Sequence, residues 1–162
     1  MTTKEVIKQG MDLAHQVTTA YLSDLEDKDL FVRPADGANH IAWQLGHLIA
    51  SEHMMMTGIG NEMPALPDGF AEAHSKETCD CDDASKFHTR QEYLDLMTAM
   101  HAATKKALDA ATDESFAAPA PESMQGYAAN AGAVYNMIGM HEMMHVGQMA
   151  TVRRKLGKPI VI

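Results

Sequence analysis

The chain has 162 residues, 46% hydrophobic and 22% charged, with 13 Lys and Arg against 22 Asp and Glu for a formal net charge of −9. Length and apolar content suit a single domain, 1–162, with its own core, and exclude disorder as a description of the whole. The acidic balance gives no footing on a nucleic-acid backbone or an anionic membrane surface, which are bound through Lys and Arg, so neither is expected as a partner.

Residues Met1 to His15 carry Lys4, Glu5, Lys8 and Asp12 and show no apolar core of a secretory signal. No apolar run is long enough to span a bilayer. Cys79 and Cys81 are too few for a disulfide framework, so a reduced, cytoplasmic protein is expected. Helical periodicity dominates and no period-two alternation is sustained, so the chain reads as all-α. From Thr3 to Leu25, Val6, Leu13, Val17, Ala20 and Tyr21 recur at helical spacing, with Ile7 and Ala14 widening the stripe. Ser23 to Gly37, ending Arg33-Pro34-Ala35-Asp36-Gly37, is a loop.

A second helix is expected from a cap at Asn39 to Thr57, stopped by Gly58 and Gly60. Ile41, Leu45, Leu48 and Ile49 fall on one of its sides, and Trp43, His47, Ala50 and Met54 nearly opposite. A helix apolar on two faces belongs in the centre, and its wider face is expected to help form a homodimer. Residues 61–88, with Pro64, Pro67, Gly69 and the run Cys79-Asp80-Cys81-Asp82-Asp83, read as a long irregular crossover. Thr89 and Glu92 fit a capping box that opens a third helix with Tyr93, Met97, Met100, Thr104 and Leu108 on its core side. After a loop with Pro119, Pro121 and Gly126, the fourth helix runs from Asn130 to Leu156, closed by Gly157 and Pro159. Its seam is Val134, Ile138, His141, His145, Gln148 and Val152, and Arg153, Arg154 and Lys155 suit its negative end. Most of the 14 Met are expected to fill gaps between helices.

The chemistry lies in that last seam. His141 and His145 are four apart, so their imidazoles project from one face and can chelate an ion. The string His141-Glu142-Met143-Met144-His145 also matches the zinc-peptidase signature H-E-x-x-H, in which the Glu is a general base. Val146 to Ile162, however, contains no His, Asp, Glu or Cys to supply a downstream third ligand, and the metzincin extension fails at Gln148 and Thr151. The third ligand must come from upstream, and His47, in the middle of the second helix, is the best placed. His74 and His88 fall in the crossover, while His15, His40, His53 and His101 flank stripes or sit near helix ends, where solvated histidines are expected. Three His ligands would leave one position open, as in catalytic sites.

Gly46-His47-Leu48 with Glu52, taken with His141-Glu142-Met143-Met144-His145-Val146-Gly147-Gln148 and Arg153-Arg154-Lys155-Leu156-Gly157, resembles the two signature helices of the DinB/YfiT-like superfamily. The resemblance implies a four-helix bundle, up-down-down-up with a long crossover between helices 2 and 3, often dimeric. It also implies a divalent metal (zinc, nickel or iron) on His47, His141 and His145. Characterised relatives include transferases and isomerases that use a low-molecular-weight thiol. The expectation is therefore a metal-dependent, thiol-using S-transferase or isomerase acting on a small electrophile, with a non-catalytic metal-binding or sensing bundle as the alternative. No catalytic residue is assigned: Glu52, Glu142 and Gln148 are left open, and Cys79 and Cys81 are expected to lie outside the centre, their thiols disfavoured by the neighbouring Asp80, Asp82 and Asp83.

Overall fold

The computed structural model describes residues 1–160. Six α-helices follow in order: α1 (Thr3–Leu22), α2 (Ile41–Gly58), α3 (Phe70–Ala73), α4 (Arg90–Ala110), α5 (Asp113–Ala117) and α6 (Ala131–Lys155). Short 3-10 turns punctuate the loops. There is no strand among the described residues, only one isolated bridge between Pro119 and Asn130. None of the described helices is long and apolar enough to cross a membrane.

Local chemistry sets the helix ends. Thr2 with Glu5 and Thr89 with Glu92 form complete capping boxes at α1 and α4, and the Asn130 side chain accepts from the Ala133 N–H at 2.9 Å to open α6. Gly157, at φ 68°, takes the left-handed conformation that lets the chain leave α6. The cap of α2 is His40, not Asn39. Its Nδ1 accepts the Trp43 N–H at 3.1 Å, so its Nε2 carries the proton and donates to the Cys81 carbonyl at 2.9 Å. His40 is wholly buried, contrary to the solvated role expected for it.

The four long helices, α1, α2, α4 and α6, share one interior. Lys8 meets Asp109, Asp12 meets Lys105 and His101, and the Arg90 guanidinium reaches the carbonyls of Leu22 and Leu25, all joining α1 and its end to α4. Along α1 and α6, Met11 lies against Gly139, His15 near Glu142, and the Tyr21 carbonyl against Arg153. A Cβ on Gly139 would stand 3.1 Å from the Met11 Cα, so glycine permits this close approach. Gln44 meets His145 across α2 and α6, and Glu52 meets Thr104 across α2 and α4.

Tyr93, Met97, Met100, Thr104 and Leu108 are all buried, as the periodicity of α4 requires. Along α1 the buried stripe is Ile7, Met11, Ala14, Val17, Thr18, Tyr21 and Leu22, while Val6 and Leu13 face solvent, so the expected stripe is turned. Met11, Met55, Met56, Met97, Met100, Met124 and Met149 fill the core; Met54, Met140 and Met144 are exposed. Ile41, Leu45, Leu48 and Ile49 are buried within the chain's own core, so the face of α2 expected to meet a second subunit is turned inward. Its two apolar sides serve two neighbours, α4 and α6.

The crossover is more ordered than its composition suggests. His74 is buried, its Nδ1 near the Phe70 carbonyl at 2.8 Å and its Nε2 at 2.7 Å from the Tyr93 hydroxyl. Gly46 makes room for it, since a Cβ there would fall inside the His74 ring. His74, expected in an irregular crossover, is thus a packed core residue: α3 seats it on α2, one residue before His47.

Candidate metal centre

One turn-spaced pair on α6 and one residue on α2 converge. His47, His141 and His145 each present a ring nitrogen, and these nitrogens lie within 4.8 Å of one another, a grouping that could hold a metal ion. Ring centroids are 5.2 Å apart for His47 and His141, 5.5 Å for His47 and His145, and 4.9 Å for the α6 pair. His145 is buried; His47 and His141 are half-buried, so the cluster is reachable from outside.

Two of the three rings are held by something specific. Gln44 is buried, and its Nε2 donates to the Asn39 carbonyl at 2.8 Å, which turns its Oε1 toward His145. His145 Nδ1 lies 3.1 Å from that oxygen and must carry the proton, leaving the Nε2 lone pair for an ion. Trp43 stacks on the His47 ring with centroids 4.8 Å apart and planes within 7°, and its Nε1 donates to the Ser75 carbonyl of the crossover at 3.0 Å. Gln44 was not singled out by sequence; it lies one turn from His40 and three residues before His47, a spacing that could have marked it.

Burial keeps the cluster neutral. It lowers His145 to about 3 and His141 to about 4, the neighbouring histidines adding to the effect, and it also lowers His47. Neutral imidazoles are what a cation needs. His74 is likewise lowered to about 4 by burial. The unfolded chain protonates such groups near 6.5, so below that pH it takes up protons that the fold refuses. The stability of chelator-treated protein should therefore hold above about pH 6.5 and fall as the pH drops toward 4. A thermal midpoint unchanged between pH 7.5 and 5 would contradict this.

Glu142 does not face the cluster. It is buried on the α1 side of α6, its Oε1 3.8 Å from His15 Nδ1 and without a hydrogen-bond partner. Gln148 is exposed and lines an open cleft of about 510 Å³ with Asn39, Gln44, Met144 and Thr151. The cleft shares Gln44 with the cluster. Cys79 and Cys81 are free thiols outside the cluster, their carbonyls held by Arg33.

Fold and site together define an all-helical protein with three histidines from two helices gathered at one point. The chain belongs to the DinB superfamily, whose model matches residues 11–149. A crystal structure of a conserved protein from Enterococcus faecalis superposes with a TM-score of 0.73 over 98% of this chain and 99% of that one, at 16% identity, a likeness of fold. No curated protein matches the chain.

Proposed function

We propose that the protein is a divalent-metal-dependent enzyme of the DinB type, using a small thiol to transfer to, or isomerise, a small electrophile. The observation that carries this reading is the His47, His141 and His145 cluster, neutral by burial and with two of its rings held from behind, His145 by Gln44 and His47 by Trp43. An ion there would supply its full positive charge, since no carboxylate joins the shell, and such a charge stabilises an anionic nucleophile such as a thiolate. Zinc, nickel and iron all suit imidazole donors. The chain's own contribution is placement. His145 keeps its proton on Nδ1 against Gln44, Trp43 fixes the His47 ring plane, and the cleft offers Asn39, Gln148 and Thr151 to orient a polar substrate beside Met144.

The helix pairings support a four-helix bundle in up-down-down-up order: partner numbers rise in opposite senses between α1 and α4 and between α2 and α6, and in the same sense between α1 and α6. A homodimer, in turn, would use the exposed Val6, Leu13, Met140 and Met144 of α1 and α6 in place of α2. Untagged protein should carry one equivalent of divalent metal and consume thiol with at least one member of an electrophile panel, an activity lost on chelation and restored by the ion. Sedimentation of the same preparation reads the oligomer. Metal-loaded protein that consumes no thiol with any electrophile would favour the non-catalytic sensing bundle.

A further inference from the structure

The third ring of the cluster has no support of its own from the chain. Trp43 stacks on His47 and Gln44 accepts from His145, but among the described residues nothing outside the cluster bonds or stacks on His141. A metal-bound histidine ordinarily donates its other ring N–H to a carboxylate, a carbonyl or a water. His141 borders one space where such a partner fits. Between α2, α4 and α6 lies a cavity of about 10 Å³, roughly the room one water needs, with His141, Glu142 and Glu52 in its wall and Leu48, Met97 and Ile138 among its apolar lining. The same wall carries a buried acceptor without a donor. The Glu142 residue is 6% exposed, and its Oε1 has no hydrogen-bond partner, a costly state for a carboxylate oxygen. His15 Nδ1, at 3.8 Å, is too far away to supply one.

We infer that one water binds in this cavity, donating to Glu142 Oε1 and to Glu52 and accepting the His141 ring N–H, so that the two carboxyl groups position a metal ligand through it. A buried water makes about three hydrogen bonds, and the three polar groups of this wall supply them. Thr104 donates to Glu52 Oε1 at 2.6 Å, which leaves the other Glu52 oxygen for the water. Burial pushes the Glu52 carboxyl up to about 7, and above that range it can only accept. With both hydrogens of the water committed to carboxyl oxygens, only a lone pair is left for His141. That fixes the His141 proton on the nitrogen facing the cavity and keeps the other nitrogen for the ion. Glu52 and Glu142 are therefore positioning residues: they act on a ring, not on a substrate. The water stands on the cavity and the orphaned oxygen, whereas its service to an ion rests on the three-histidine reading of the centre.

The test uses untagged, full-length protein at about pH 8, above the range in which Glu52 takes up a proton. In metal-free wild type, NMR should show cross-relaxation from water to the methyl groups of Leu48 and Ile138, and ring-nitrogen spectra should show one tautomer of His141. Glu52→Met and Glu142→Met keep the volume and dry the cavity, and an apolar residue of similar shape costs the fold little. Both should lose the water signals, let His141 populate two tautomers, and weaken zinc about tenfold in competition with a chelator. The His145 tautomer, held by Gln44, should not change. Glu52→Gln keeps an acceptor and should restore all three readouts, while Glu142→Ala enlarges the space for water and should keep the metal. Wild type without the water signals, or folded Met variants with His141 and zinc affinity unchanged, would overturn the inference. Wild type that shows the water and binds no zinc would instead overturn the three-histidine metal, with the water itself upheld.

Discussion

Replacing His47 with Ala should lower divalent-metal affinity by roughly 100-fold or more while leaving the helices folded. Even groups that only support a ligand are worth about 10–100-fold in affinity, and His47 would be a ligand itself. What remains, His141 and His145, is an i, i+4 pair on one helix, with no carboxylate turned toward it. The fold should survive because Ile41, Leu45, Leu48 and Ile49, on the other side of α2, stay buried. Metal stoichiometry of untagged protein measures the effect, with circular dichroism as the control for folding. The comparison with Glu142→Ala is decisive. A peptidase reading of H-E-x-x-H needs Glu142 beside the ion, but the carboxylate points toward α1, so Glu142→Ala should keep the three-histidine metal. Full metal occupancy in His47→Ala protein would break the three-histidine reading.

The largest stability effect is expected at Arg153. The side chain is 1% exposed. Its guanidinium donates to the Tyr21 carbonyl at 2.6 Å, to the Pro159 carbonyl at 2.7 Å and to Asp24 at 2.5 Å, and it lies 5.3 Å from the Tyr21 ring centroid. One buried cation thus ties the end of α1, the end of α6 and the segment beyond it. Arg153→Ala would strand two carbonyls and a carboxylate and open a cavity, at a cost of about 3–5 kcal/mol. Arg153→Met, which leaves the same acceptors without a donor but refills the volume, should cost less because no cavity is opened. Urea unfolding curves of the two variants give both numbers; equal stability of Arg153→Ala and wild type would refute the account.

Arg153 also shows where sequence reading runs out. A basic residue in the last turn of a helix reads as a complement to the dipole, and nothing local says that three distant acceptors will surround it. Legibility was highest where one helix meets one core. All five expected positions of α4 are buried because their spacing tracks a single interior. It declined along α6 for a geometric reason: a strict seven-residue repeat drifts about 20° per heptad on a straight helix. Thus Val134 is buried, His141 half-buried and Gln148 exposed, while the companion row Ile138, His145 and Val152 stays inside. On α1 the true stripe includes Thr18, whose hydroxyl is satisfied by the Ala14 carbonyl at 3.0 Å, and Met11, which is admitted by Gly139 on another helix. The metal ligands were legible because i, i+4 geometry is local and the family motifs mark both helices. Their supports were not, since Gln44 acquires its role from the His145 ring and Trp43 its anchor from the Ser75 carbonyl, both remote in the chain.

Trp43, which stacks on the His47 ring and donates to the Ser75 carbonyl, makes the crossover and the centre one thermodynamic unit. Whatever an ion gains by fixing that ring is shared with the segment that already holds it, and by reciprocity an ordered crossover raises the affinity for the ion. Loading the protein with zinc should therefore slow proteolytic nicking within residues 61–88, and cutting there should release the metal. Digestion at equal rates with and without zinc would show the two to be independent. If they are coupled, the long connection behaves as a latch whose closure is read out as retained metal.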